Sequence, residues 1–436
     1  MDSLKRDLSS TDQFSKGEQT QQTQQIEPTH SIDNRTIVAE EETNDQSNWR
    51  AFGKKWGYAL RQILPVYVAV RMACIVISAL SVLFILGDFA PQAYPLNTIW
   101  HTWDHWDTGN FENIALHSYS VPTLTAFFPL YPVLMRLIIP LTHNVLTAGF
   151  IISNLAGLVM SVVLYQLVRE DAGEESANRA VLYLSLFPSA FFLVAVYNES
   201  LFICLTLLSF YNMRHGQWWL AGTFGLLSGL TRSVGIFLIL TFCYEYLRQH
   251  HFQWRKLRLD SLSIVLIPAG LGIFGLYCYK HFGDFLIFSR VQSGWFRNAE
   301  WPWYGMQVAF EAILSSTGLL SFQGIHMTMQ LGIDLFILIL LLLGLVGPWR
   351  FPRSQWSYLI YGFALYLFLN SVPVIGGSTP PYTLKSMIRF MLEVFPAFIV
   401  LAKIGRSRFV HMNYLMIAGS LFFFLLTQFL IGRWIQ

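Results

Sequence analysis

Charge is what this chain has least of. Of its 436 residues only 13% are Asp, Glu, Lys or Arg, about half of the roughly 25% carried by a soluble domain. That scarcity excludes an ordinary soluble enzyme, whose surface needs more polar cover. Cysteine is scarce too: Cys74, Cys204, Cys243 and Cys278 sit in or beside apolar runs, at no spacing that suits a metal. They read as small buried hydrophobes. Period-two alternation in short segments, the mark of an outer-membrane barrel, is missing. The formal net charge of +3 says little by itself, and nothing in the chain reads as a nucleic-acid partner.

What is present is apolar length. Hydrophobic residues make up 54% of the chain, in recurring runs, and a run of about 20 residues spans a bilayer as a helix. The reading is an all-α polytopic membrane protein. Residues 1–48 differ: "TDQFSKGEQTQQTQQIEPTH" is rich in Gln and Thr and poor in large apolar side chains. Such a segment cannot bury enough surface to fold and lacks the apolar core of a cleavable signal peptide. A disordered cytosolic tail is expected over 1–48 and a membrane domain over 49–436.

The apolar runs place spans at 63–87, 146–168, 180–196, 200–213, 217–230, 233–247, 261–279, 329–347, 356–375, 389–402 and 411–431, about eleven in all. Arg50, Lys54, Lys55 and Arg61 precede the first span, and after it nothing basic follows until Arg136. The positive-inside rule then puts the N-terminus in the cytosol and 88–145 outside. The Pro-interrupted run 127–142 is expected to lie at or dip into the interface. With that parity every later cytosolic turn holds Arg or Lys, and a second long external segment covers 280–328. Outside means the lumen of the endoplasmic reticulum in a eukaryote or the external face of a prokaryotic plasma membrane. The polar groups "WDHWD", "YNES", "TRS" and "KSMIR" all fall on this face, and convergent polar groups mark the place where membrane proteins do chemistry.

Each of these groups admits more than one reading. In "HTWDHWDTGNFENIA" (101–115), Asp104 and Asp107 are three apart and would share a helix face. Beside Trp103, Trp106 and Phe111 a carboxylate has its pKa raised, which suits a general base. The bland alternative is an interfacial amphipathic helix with tryptophans at headgroup level. His101, Asp104, His105 and Asp107 also suggest metal ligands, but their spacing follows no strong pattern. Asn198 and Glu199 stand where a helix begins: Glu199 caps that helix, accepts from sugar hydroxyls, or pairs with Arg232. Arg232 and Arg389, each in an apolar run, need an anion, either a neighbouring carboxylate or a lipid phosphate clamped bidentately. Lys385 lies one turn before Arg389, and Glu393 one turn after it.

In order along the chain, "WDTGNFENIA" with "HSY", "AFFPLYPVLMR" (126–136), "LFPSAFFLVAVYNESLF" (186–202), "GLTRSVGIFL" (229–238) and "MIRFMLEVFPAF" (387–398) resemble the motifs of the GPI mannosyltransferase 2 family. That family is a branch of the C-type superfamily of membrane glycosyltransferases. The resemblance covers most of 60–400. It departs at His117-Ser118-Tyr119, which lacks the family's Gly before Tyr. It also departs at Asn198, where Ser or Thr is usual, and at Val234, where Asn is usual. The large luminal insertions of the family are missing, as in a prokaryotic-type relative.

The resemblance implies a C-type glycosyltransferase architecture with a large first external loop. It implies a donor, mannose or another hexose on a polyprenyl or dolichyl phosphate, and inverting transfer to a hydroxyl of a lipid-anchored glycan on the non-cytosolic face. Asp107 is expected as the general base with Asp104 in support. Trp106, His105, Asn198, Glu199, Arg232, Lys385 and Arg389 are expected around the substrates. No metal and no other cofactor is expected, since arginine suffices for one phosphate. A partner subunit is compatible with all of this. The rival reading is a multi-pass transporter or lipid flippase, whose ionisable groups would lie at mid-membrane in repeated halves.

Overall fold

The computed structural model describes residues 34–86, 95, 97–253, 255, 258–314, 319–377 and 382–433. The chain divides into two units, Met1–Lys54 and Lys55–Gln436, and the second holds the candidate site. Among the described residues the fold is all-helical, with one isolated antiparallel bridge, Arg297 to Val374. The main helices are α1 (Asn34–Leu86), α2 (Asp107–His117), α3 (Leu130–Thr142), α4 (Val145–Ala172), α5 (Glu174–Ser185), α6 (Glu199–Arg214) and α7 (Trp218–Thr231). Beyond them follow α8 (Leu238–Gln249), α9 (Leu266–Phe282), α10 (Tyr304–Ala312), α11 (Phe322–Leu345), α12 (Trp356–Asn370), α13 (Phe395–Ile404) and α14 (Arg408–Leu430). Of the tail expected over 1–48, residues 1–33 lie outside the described residues, and from Asn34 the chain is helical.

Among the described residues, five helical stretches are long and apolar enough to cross a membrane: Gly53–Val82, Val145–Ala172, Leu259–Phe282, Phe322–Leu345 and Arg408–Leu430. This is an integral membrane protein. All eleven expected spans carry helix, but several are short or broken, and the length-and-composition criterion is met by five. Helix α3, in the run read as interfacial, has 13 residues. At about 20 Å it falls well short of a hydrocarbon core of about 30 Å. Local chemistry sets the ends of the long helices. Asn144 accepts from the Thr147 amide at 2.8 Å to start α4, which stops at Gly173 in a left-handed conformation (φ 83°). Ser321 caps α11 through the Gly324 amide at 2.9 Å.

Several expected spans are not continuous α-helices. Helix α5 ends at Ser185, and residues 186–198 run irregularly to α6. Pro188 accounts for the break, since proline removes a helix hydrogen bond and clashes with the preceding turn. The second break, 382–394, precedes α13, which takes Pro396 in its first turn. Buried irregular backbone must find hydrogen-bond partners within the protein, and here side chains supply them. Asn154 donates to Val194 O at 3.3 Å, Ser153 to Tyr197 O at 3.0 Å and Ser200 to Leu193 O at 2.7 Å. Ser189 donates to Ile388 O at 2.8 Å, and the Ile388 amide donates to Gln330 of α11 at 2.9 Å. A third break, Arg232–Phe237, is tied in by Asn198, which donates to Thr231 O at 3.0 Å. The three breaks therefore meet, and the polar motifs meet with them.

Candidate active site

Asp107 opens α2 because the backbone turns sharply just before it. Trp106 has φ 59° and ψ −114°, a conformation that bulky residues rarely adopt. The turn separates Asp107 from Asp104, so the two acids do not share a helix face as their spacing suggested. The Tyr197 hydroxyl holds the turn, donating to His105 O at 3.2 Å and accepting from the Asp107 amide at 3.3 Å. Trp103 is buried and donates to Ser78 of α1 at 2.9 Å. Phe111 packs edge-on against Phe127 and Tyr131, with centroids 5.3 and 5.0 Å apart. These two aromatics anchor the segment and leave Trp106 exposed to the cavity.

Asp107 Oδ2 accepts from Arg389 at 2.5 Å. Arg389 also binds the fully buried Glu199 through Nε. Arg232 lies 2.8 Å from Glu199 and 2.8 Å from Glu393. The result is an alternating chain of Asp107, Arg389, Glu199, Arg232 and Glu393, drawn from α2, the start of α6 and two of the breaks. Glu199 is thus both the first residue of its helix and the partner of two arginines. The simple Arg389–Glu393 pair suggested by their spacing is absent, because Glu393 faces Arg232. Lys385 and Arg389 are not on one helix either: Ser386 between them has φ 65°. In "TRSVG", Gly235 rests on the backbone of Ser228 and Gly229, where an added Cβ would come within 2.7 Å of the Gly229 nitrogen. That contact fixes the turn that presents Arg232.

A cavity of about 860 Å³ opens beside this chain. Its polar lining includes Asp107, Asn198, Arg232, Lys385 and Arg389, and its apolar lining includes Trp106, Phe127, Phe128, Phe288 and Trp295. Asp104 and His105 lie off the cavity. Asp104 is exposed near Glu112, whose pKa is pushed up to about 7, first by burial and then by Asp104. His105 points to Leu430 O, 3.3 Å from its Nε2, at the end of α14. The four residues weighed as metal ligands therefore do not converge. Among the described residues, no three His, Cys, Asp or Glu side chains are placed to hold a metal.

One lining residue escaped the sequence reading. Arg297, in the segment between α9 and α10, donates to Val372 O at 3.1 Å and Lys385 O at 3.3 Å. Burial first, then the neighbouring Arg232 and Arg389, bring its guanidinium down to about 10. Lys385 is lowered as well, by burial and then by Arg297.

The fold and site define an all-helical membrane protein with a carboxylate–arginine chain at the meeting point of three helix breaks. The chain belongs to the mannosyltransferase (PIG-V) family, whose model matches residues 59–309. No curated protein matches it significantly. Among solved structures it is similar to ArnT from Cupriavidus metallidurans in the apo state, at 14% identity and TM-score 0.46, over 81% of this chain and 62% of that one. It is also similar to the apo oligosaccharyltransferase of Archaeoglobus fulgidus, at 12% identity and TM-score 0.44, over 84% of this chain and 56% of that one. The chain thus spans less than two thirds of the length of either.

Proposed function

We propose that this protein transfers mannose, or another hexose, from a polyprenyl- or dolichyl-phosphate sugar to a hydroxyl of a lipid-anchored glycan. The reading rests on family membership and on one observation: Asp107 shares an aromatic-lined cavity with several cations. The acceptor hydroxyl oxygen attacks the anomeric carbon, and its proton passes to the Asp107 carboxylate. The bond from the anomeric carbon to the phosphate oxygen breaks, and its electron pair stays on the lipid phosphate. Attack opposite the leaving group inverts the anomeric centre. Arg389, bonded to Oδ2, holds the base in place and leaves Oδ1 as the proton acceptor. Trp106 and the cavity's phenylalanines offer surfaces for the sugar ring and isoprenoid.

The test is transfer of labelled mannose from dolichyl-phosphate mannose into glycolipid by the purified full chain in proteoliposomes. Asn at 107 keeps shape and hydrogen bonding but abolishes basicity, and general-base catalysis contributes about 10²–10⁴-fold. Asp107→Asn should lower turnover by that factor with expression and thermal melting unchanged, and near wild-type turnover would overturn the assignment. We also propose that the cavity faces away from the cytosol. A cysteine placed at Gln253 should then stay unreactive to an impermeant maleimide added outside sealed cells, while one at Gln292 reacts. The opposite pattern reverses the orientation.

A further inference from the structure

Arg232 and Arg389 were the sequence candidates for meeting a phosphate, yet each is already shared between two carboxylates. Arg297 is different. It lines the same cavity, and its guanidinium meets only two backbone carbonyls and the ring of Phe390, 5.2 Å away. Among the described residues it has no ion pair. A half-buried guanidinium without a carboxylate, close to two further arginines, is an electrostatic arrangement that an anion completes.

The backbone presents Arg297 to the cavity by design of two loops. The Ile375 amide donates to Phe296 O at 2.7 Å, Asn298 to Pro373 O at 3.2 Å and Glu300 to Ser371 O at 2.9 Å. Phe296, at φ 57°, lays its ring on Gly376 and Gly377, where an added Cβ would come within 3.1 Å. These bonds stitch 296–300 to 371–375 and aim the side chain between them inward.

We propose that Arg297 is the residue that binds the phosphate of the lipid-linked donor, while Arg232 and Arg389 hold the carboxylates. The proposal rests on the donor reading above. Before transfer the ligand is a phosphodiester with one negative charge. Once the anomeric carbon–oxygen bond breaks, the departing phosphate monoester gains a second. A cation not already neutralised interacts more strongly with that product-like charge, which favours bond breaking.

The test uses the full chain in phosphatidylcholine nanodiscs, probed with dolichyl phosphate, with dolichol and with inorganic phosphate. Wild type should prefer dolichyl phosphate over dolichol. Arg297→Gln should bind dolichyl phosphate at least about tenfold more weakly and lose that preference, with Arg297→Lys intermediate and Glu112→Gln, off the cavity, unchanged. Wild-type preference that survives in Arg297→Gln overturns the role of Arg297 and leaves the donor reading standing. No preference in wild type overturns both. If Arg297→Gln does not fold, phenylglyoxal labelling of wild-type Arg297, read by peptide mass spectrometry, decides. Dolichyl phosphate should protect it and dolichol should not. Equal labelling with either lipid overturns the proposal, and equal protection by inorganic phosphate overturns its assignment to a lipid-borne anion.

Discussion

Among the described residues, two chains of alternating charge join arginines to buried carboxylates, and the one around Asp107 lines the cavity. In the second, Asp171 at the end of α4 binds Arg214 at the end of α6 and accepts from the Tyr358 hydroxyl at 2.8 Å. Glu245 of α8 takes two bonds from Arg248, at 2.6 and 3.1 Å, and Arg214 reaches Ser354 O at 2.9 Å. These groups sit on regular helix ends and tie α4, α6, α8 and α12 together. The chain around Asp107 sits on broken backbone, borders a cavity and has Arg297 beside it without a carboxylate. Charge in an apolar protein is therefore a poor marker of chemistry. Charge that the fold leaves partly unanswered, at the edge of a space, is a better one.

The sharpest way to break this comparison is to neutralise the same acid type in both places. Asp171→Asn should leave mannose transfer per folded molecule within about twofold, against the 10²–10⁴-fold loss expected at Asp107. A comparable loss in both, measured on monodisperse protein, would erase the distinction. Next in size are the arginines. Arg214→Gln takes the arginine from Asp171, and Arg389→Gln takes it from Asp107 and leaves Glu199 with Arg232 alone. Each should cost about 3–5 kcal/mol of stability, the usual penalty for orphaning a buried charge, visible as a lower melting midpoint. Only Arg389→Gln should also reduce transfer by the molecules that remain folded.

The smallest effect concerns Glu112, on α2 but off the cavity. Its carboxyl titrates at about 7 in the fold and at roughly 4.3 in an unfolded chain. Between those values the unfolded chain has released a proton that the folded one retains, so stability falls as pH rises through that window. Glu112→Gln removes the dependence. Its melting midpoint relative to wild type should rise from pH 4.5 to pH 7 and then level off. A difference that does not change with pH would show that Glu112 is not held protonated.

Part of the site was legible because "WDHWD", "YNES", "TRS" and "KSMIR" stand out as polar groups in an apolar chain. Asp107, Glu199, Arg232 and Arg389 form one ionic chain, and Trp106, Asn198 and Lys385 line the adjoining cavity. Asp104 and His105 were misplaced because spacing assumes a helix, and the turn at Trp106 lies between them and Asp107. The break at 186–198 was hidden because most of its residues are apolar and continue the hydrophobic run of α5. The hydroxyl and amide groups of Ser153 and Asn154 that make it affordable lie on another helix. Arg297 was out of reach for the same kind of reason: its position depends on pairing with 371–375, a long way along the chain.

Three residues bordering the site hold left-handed backbone without being glycine: Trp106, Phe296 and Ser386. Such a conformation costs about 1–3 kcal/mol at each position, and glycine would remove the penalty at once. A chain shaped by thermal robustness alone would drift to glycine at all three. That it carries a tryptophan, a phenylalanine and a serine there means those side chains return more than the strain takes away. Glycine at any of them would relieve the strain and, with it, loosen the walls of the cavity.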